Sequence, residues 1–226
     1  MKRTRAIVKV LFLLSAFQVG TVLAQTPSLT QKRPKQFVPP PAYLLKKPDF
    51  RQAHWGMSKD EVKQSETVEL RTADRSETTL ETLVGTGSVA GMPCIIFYEF
   101  AEDQLVSASY VIAGKTAAGL KRHTSDNSYL EDYETLKGIL REKYGTPLND
   151  ETTWRNPLYR DSPARYGLAV SLGHLQESVA WLTPTTRLGA VISGDNYDIG
   201  IVVLYQSLGL SDLAEKARKA KVASQF

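Results

Sequence analysis

The clearest pattern in the chain is an alternation at residues 105 to 112, where Val106, Ala108, Tyr110 and Ile112 interleave with Leu105, Ser107, Ser109 and Val111. A period of two with one more polar side predicts a strand on a sheet with a solvated face. An apolar run, Cys94 to Phe100, precedes it, and the short polar link Ala101-Glu102-Asp103-Gln104 predicts a hairpin. The period then changes. Leu130, Tyr133, Leu136, Leu140 and Tyr144 recur every three or four residues, which lays one apolar face along a helix that Gly145 and Pro147 terminate. Ser128 and Glu131 have capping-box spacing at its start. The same spacing, Ser58 to Glu61, opens an earlier helix over about Lys59 to Val68, with Met57 and Val62 placed as a hydrophobic staple.

Further strands are predicted near Thr79 to Val84, Thr152 to Arg155, Gly167 to Leu172, Ser178 to Thr183, Arg187 to Ser193 and Ile199 to Gln206. Gly85 to Gly91 reads as a flexible link between strands, and Gly194-Asp195-Asn196 as the turn of a second hairpin. A last helix is expected from about Asp212 to Ala223, capped by Ser211. Asp212 and Glu215 near its start and Lys216, Arg218, Lys219 and Lys221 toward its end follow the helix dipole. The order is helix and three strands, helix and four or five strands, then a helix. It predicts an α+β fold of antiparallel sheet with packed helices, arranged as two αβββ-type halves, residues 49–120 and 121–226.

The start Gly56-Met57-Ser58-Lys59-Asp60-Glu61-Val62, followed by strands that end in an acidic hairpin turn before Leu105, resembles the helix-and-sheet repeats of the β-lactamase inhibitory protein fold and of the BamE-type envelope modules. The resemblance spans about residues 55 to 112. It implies a helix laid on an antiparallel sheet and a habit of binding proteins without catalysing a reaction.

Residues 1–24 read as an export signal, with Lys2, Arg3, Arg5 and Lys9 ahead of an apolar run from Val10 to Ala16 and Val22-Leu23-Ala24 before Gln25. Small residues at the minus-three and minus-one positions place cleavage after Ala24; the alternative is an uncleaved anchor. No Cys follows the apolar run for lipid attachment, and no later segment is apolar enough to span a bilayer. Residues 25–48 form a basic linker with six prolines, too poor in apolar side chains to fold alone. Its apolar handles are Phe37, Tyr43, Leu44 and Leu45. An α+β domain, residues 49–226, follows.

The signal changes the reading of charge. Four of the 28 bases lie within it, so the remaining chain carries as many bases as its 24 acids. An acidic folded body argues against nucleic acid, which needs concentrated Lys and Arg on one face. Cys94 is the single cysteine, so neither an intrachain disulfide nor a thiolate metal site is possible, and its apolar run predicts a buried, inert thiol.

Chemistry is sparsely signalled. His54, His123 and His174 share no metal-ligand spacing, and the glycine-rich stretch precedes a strand and not the helix an anion site needs. Neither a nucleophile elbow nor a zinc-protease motif occurs. Glu99, Glu102 and Asp103 are carboxylates of the kind a glycan hydrolase pairs, although hairpin acids ordinarily serve as solvated turn formers. No catalytic, cofactor or metal residue is assigned. Trp154-Arg155-Asn156-Pro157-Leu158-Tyr159-Arg160 combines aromatics with positive charge in a loop, so Trp154, Arg155, Tyr159 and Arg160 are the candidate partner contacts. The expectation is a periplasmic or secreted, non-catalytic binding or assembly module of the bacterial cell envelope, meeting another envelope protein through its sheet or aromatic loops. The alternatives are an envelope hydrolase using carboxylates and a carrier of a small apolar ligand.

Overall fold

The computed structural model describes residues 47–73, 80–115 and 119–223. The export signal, its cleavage point, the linker up to residue 46 and Thr79 lie outside them. Eight strands form one antiparallel sheet: β1 (Arg71–Thr72), β2 (Glu81–Val89), β3 (Met92–Ala101), β4 (Gln104–Ala113), β5 (Asn149–Trp154), β6 (Leu175–Leu182), β7 (Thr186–Asp195) and β8 (Asp198–Ser207). Their spatial order is β1-β2-β3-β4-β8-β7-β6-β5. The two runs of consecutive strands meet at β4 and β8, which pair from Ser107↔Gln206 to Ala113↔Gly200. The α+β class read from the pattern is therefore present, with a single continuous sheet.

Helix α1 (Lys59–Ser65) starts as the spacing predicts. The Ser58 side chain accepts from the Glu61 amide and the Glu61 carboxylate takes the Ser58 amide at 2.8 Å. The stretch before it is pinned to the β3–β4 hairpin, since Gly56 N–H donates to the Leu105 carbonyl and Leu105 N–H to that of Met57. Helix α2 (Asn127–Tyr144) buries Tyr133, Leu136 and Leu140 as expected, together with Tyr129. Its start differs from the predicted capping box. Asp126 is the N-cap and makes no side-chain cap bond, while Ser128 already lies inside the helix with its amide on the Ser125 carbonyl.

Four further expectations are corrected. Gly85 to Val89 is not a flexible link but the second half of β2, and Ala90-Gly91 makes the turn. Leu70 lies across this strand, and a Cβ at Gly85 would come within 2.8 Å of its Cδ2. Gly167 to Leu172 is not a strand but helix α3 (Tyr166–Ser171), because a short apolar run buried on most sides carries no period of its own. Gly194 and Asp195 belong to β7, and the turn is Asn196-Tyr197; Gly194 is small because α3 presses there, with a Cβ falling 2.4 Å from the Val170 carbonyl oxygen. Helix α4 (Ser211–Ala223) begins at Ser211, whose hydroxyl donates back to the Leu208 carbonyl and does not cap the helix.

The alternation in β4 is interrupted. Phe100 faces Leu105 while Glu99 faces Ser107, so Val106 is the extra residue of a β-bulge. Leu105 consequently joins Ala108, Tyr110 and Ile112 in the main core under α1, α2 and α3, and Val106 turns to the opposite face against Ala214 of α4. That opposite face is not solvated here: Ser107 and Ser109 are buried, and Val84, Phe97, Val111, Val191 and Val202 form a second apolar cluster with exposures of 2 to 6 %.

Candidate functional site

Three hairpins of the sheet turn on two residues each, Ala90-Gly91, Glu102-Asp103 and Asn196-Tyr197, and the β6–β7 link is three residues long. The connection between the paired strands β5 and β6 is different, spanning residues 155–174. Hairpin links of this length are uncommon and tend to carry function. It contains all but one of the predicted contact residues, with Trp154 at its root.

The excursion is folded and held. Two 3-10 turns, Pro157–Tyr159 and Pro163–Arg165, lead into α3, and Asn156 caps the first by accepting from the Leu158 amide at 3.0 Å. The Arg155 amide donates to the His174 carbonyl, tying the outgoing chain to the returning one. At the far end Asn127, the first residue of α2, accepts from the Gly167 amide at 2.7 Å and donates to the Ala164 carbonyl at 3.0 Å. No side chain fits between them: a Cβ on Gly167 would lie 2.3 Å from the Asn127 nitrogen.

Two aromatic pairs stiffen it. The Trp154 and Tyr166 rings meet edge to face at 5.2 Å, and the Tyr166 hydroxyl donates to the Arg160 carbonyl. Tyr159 stacks on His174 at 5.9 Å, with the Arg165 guanidinium 5.8 Å from the Tyr159 centroid. Trp154 and Tyr159 are half-buried, while Arg155, Arg160 and Arg165 are exposed. Arg155 reaches the amide oxygen of Gln176 at 3.2 Å, and among the described residues none of the three guanidiniums has a carboxylate partner. The structure thus brings together Trp154, Arg155, Tyr159 and Arg160, and adds Arg165, Tyr166 and His174, which sequence reasoning missed. Arg165 carried a signal, since it continues the basic spacing of Arg155 and Arg160; His174 carried none, because only the return of β6 places it there.

Beside Arg165 a groove of about 370 Å³ opens between the turn before α2 and the second 3-10 turn. It is lined by Lys121, Ser125, Asp126, Asn127, Arg165 and Leu168. Asp126 is engaged by Lys121 at 2.7 Å.

The remaining candidates are placed elsewhere. Trp55 and Trp181 are core residues whose ring nitrogens donate to the Thr186 hydroxyl and the Gly145 carbonyl. His54 faces Asp49, His123 contacts Asp132 at 2.7 Å, and His174 belongs to the excursion, so the three do not converge. Among the described residues, no three His, Cys, Asp or Glu side chains form a metal-holding group. Glu99 accepts from Ser107 and from Arg218 of α4, and Lys59 bridges Glu81 and Asp103, so these acids are committed to structure. Cys94 is buried, and that burial pushes its thiol up to about 11, against a smaller downward pull from Arg51.

Two ionic clusters were not legible in advance. Arg51 donates through Nε to Glu66 at 2.9 Å, and the Glu66 side chain has no exposed surface. Burial alone lowers the Arg51 pKa, but the Glu66 bond and charge more than offset it. Along α2, Lys137 contacts Glu134 and Asp150, Arg141 contacts Asp150, and Glu177 of β6 is held above the usual carboxylate range by burial first and by Glu134 and Asp150 next. No helix among the described residues is long and apolar enough to cross a membrane. No family model, no curated protein and no solved structure matches this chain.

Proposed function

We propose that this chain is an exported, non-catalytic binding or assembly module of the bacterial cell envelope, and that it contacts another envelope protein through the β5–β6 excursion. The observation that carries the reading is the pairing of a rigid fold with unspent charge. The excursion is pinned at both ends, yet three guanidiniums leave it without a carboxylate partner among the described residues. A surface ordered before binding loses less entropy on contact, and exposed Arg beside half-buried aromatics is the composition of interface hot spots.

The excursion is favoured over the sheet as the contact surface because the sheet face away from α2 keeps its large apolar side chains buried. The export reading rests on residues 1–24 and the small residues before Gln25. A relation between two helix-and-sheet halves is part of the same proposal. It is supported by the strand order, in which β1-β2-β3-β4 and β8-β7-β6-β5 run outward from the β4–β8 pair.

The test is affinity capture from the source organism's envelope with the full chain, alongside W154A/Y159A and a control altered on α4, K216A/K219A. A protein recovered in near-stoichiometric amount by the parent and control but lost with W154A/Y159A supports the reading. Recovery that ignores the excursion, or turnover of a glycan by the purified chain, overturns it.

A further inference from the structure

We infer that the excursion receives an acidic peptide segment of its partner, with Arg155, Arg160 and Arg165 meeting its carboxylates. The inference rests on the binding reading above and adds the chemistry of what is bound. Residues 52–226 hold 18 bases and 23 acids, so three unpaired guanidiniums within eleven residues are a local reversal of the body's charge. Several cations elsewhere are already spent, since Lys59, Lys121, Lys137, Arg141, Arg218 and Lys219 each contact a carboxylate. Arginine's planar fork matches a carboxylate in two bonds, and its position is set by backbone that Asn127, Tyr166 and His174 hold.

Shape selects among anionic ligands. A membrane is flat and would press the surrounding acidic body against its own negative charge, which disfavours docking beyond the patch. A peptide is narrow enough to lie from the groove at Arg165, past the Tyr159–His174 stack, to Arg155. The groove's own acid, Asp126, is already held by Lys121 and leaves Arg165 available.

The experiment is fluorescence anisotropy of a labelled hexaglutamate peptide against the full chain at low and at 300 mM salt. Expected is saturable binding that weakens at high salt, is unchanged in K216A/K219A, and falls by roughly tenfold or more in R155A/R160A/R165A, since exposed ion pairs each contribute a few-fold. Melting temperature checks that the triple variant folds; if it does not, R160A alone, whose exposed side chain makes no hydrogen bond or ion pair among the described residues, should still weaken binding a few-fold. Equal loss in the α4 control would reduce the effect to bulk charge and overturn the inference. So would stronger, arginine-dependent binding to vesicles containing phosphatidylglycerol or to an oligouronate. Absence of peptide binding with envelope capture still lost in W154A/Y159A would sink the acidic-peptide chemistry and leave the binding module standing. Capture indifferent to both sets of variants would sink the two together.

Discussion

Glu66 shows how much can rest on one side chain. Its carboxylate is enclosed and satisfied by the Arg51 guanidinium and the Gln52 amide, and the fully buried Tyr98 lies beside it. Truncating one member of a buried pair strands the other's charge, so Glu66→Ala is expected to cost about 3 kcal/mol in urea denaturation. Glu66→Gln, which keeps an acceptor, should cost less. Glu177 has the opposite sign. Its folded pKa is raised, so ionisation opposes folding, and the penalty grows as pH rises from the unfolded carboxylate range and is complete above the folded value. Glu177→Gln should therefore raise the melting temperature at pH 7, by at most about 3 °C for a partly exposed group, and this gain should vanish below about pH 4. Melts at a series of pH values check both the direction and the window.

At the scale of elements, the two helix starts differ in how they were signalled. Ser58 and Glu61 cap α1 with groups three residues apart, and Ser58→Ala should cost about 1 kcal/mol in a thermal or urea melt. The matching spacing at Ser128 predicted a cap that does not form, because Asn127 is drawn to Gly167 and Ala164 and the helix begins two residues earlier. A local pattern proposes a cap; a distant backbone can outbid it. The same contact makes Gly167 decisive. Gly167→Ala would place a methyl against backbone that cannot yield, so it should destabilise by about 1 to 3 kcal/mol and loosen the excursion, seen as faster amide exchange over residues 155–165. If the excursion is the binding surface, capture should weaken in the same variant.

For the whole molecule the central fact is the junction of β4 with β8. Its residue pairs run unbroken, and the main core draws on residues from Phe50 to Tyr205 across both sides of it. Neither run of four strands can open without exposing the other's edge, so unfolding should be one cooperative transition with coincident near- and far-ultraviolet circular dichroism. Two separated transitions would mean that the halves are independent units. Helix α4 adds a smaller layer on the opposite face through Leu213, Ala214 and Ala217 and the Arg218–Glu99 pair. Ending the chain at residue 210 should lower the melting temperature while leaving a single transition, since the α4 contacts lie outside the main core.

What the sequence alone determined follows from interactions that are local or periodic. The α1 cap, the apolar face of α2, its Gly145 terminus at φ 79° and the strands on either side of Glu102-Asp103 depend on neighbours within a few residues. The aromatic and basic character of Trp154 to Arg160 was visible for the same reason. What only the tertiary structure decided depends on which elements meet. The helical state of Tyr166–Ser171, the strand state of Gly85 and the burial of Ser107 and Ser109 are set by layers arriving from elsewhere in the chain. So are the Arg51–Glu66 pair and the convergence of Tyr159, Arg165 and His174. Packing free energy belongs to surfaces brought together by the fold, and a linear pattern records only one side of each such contact.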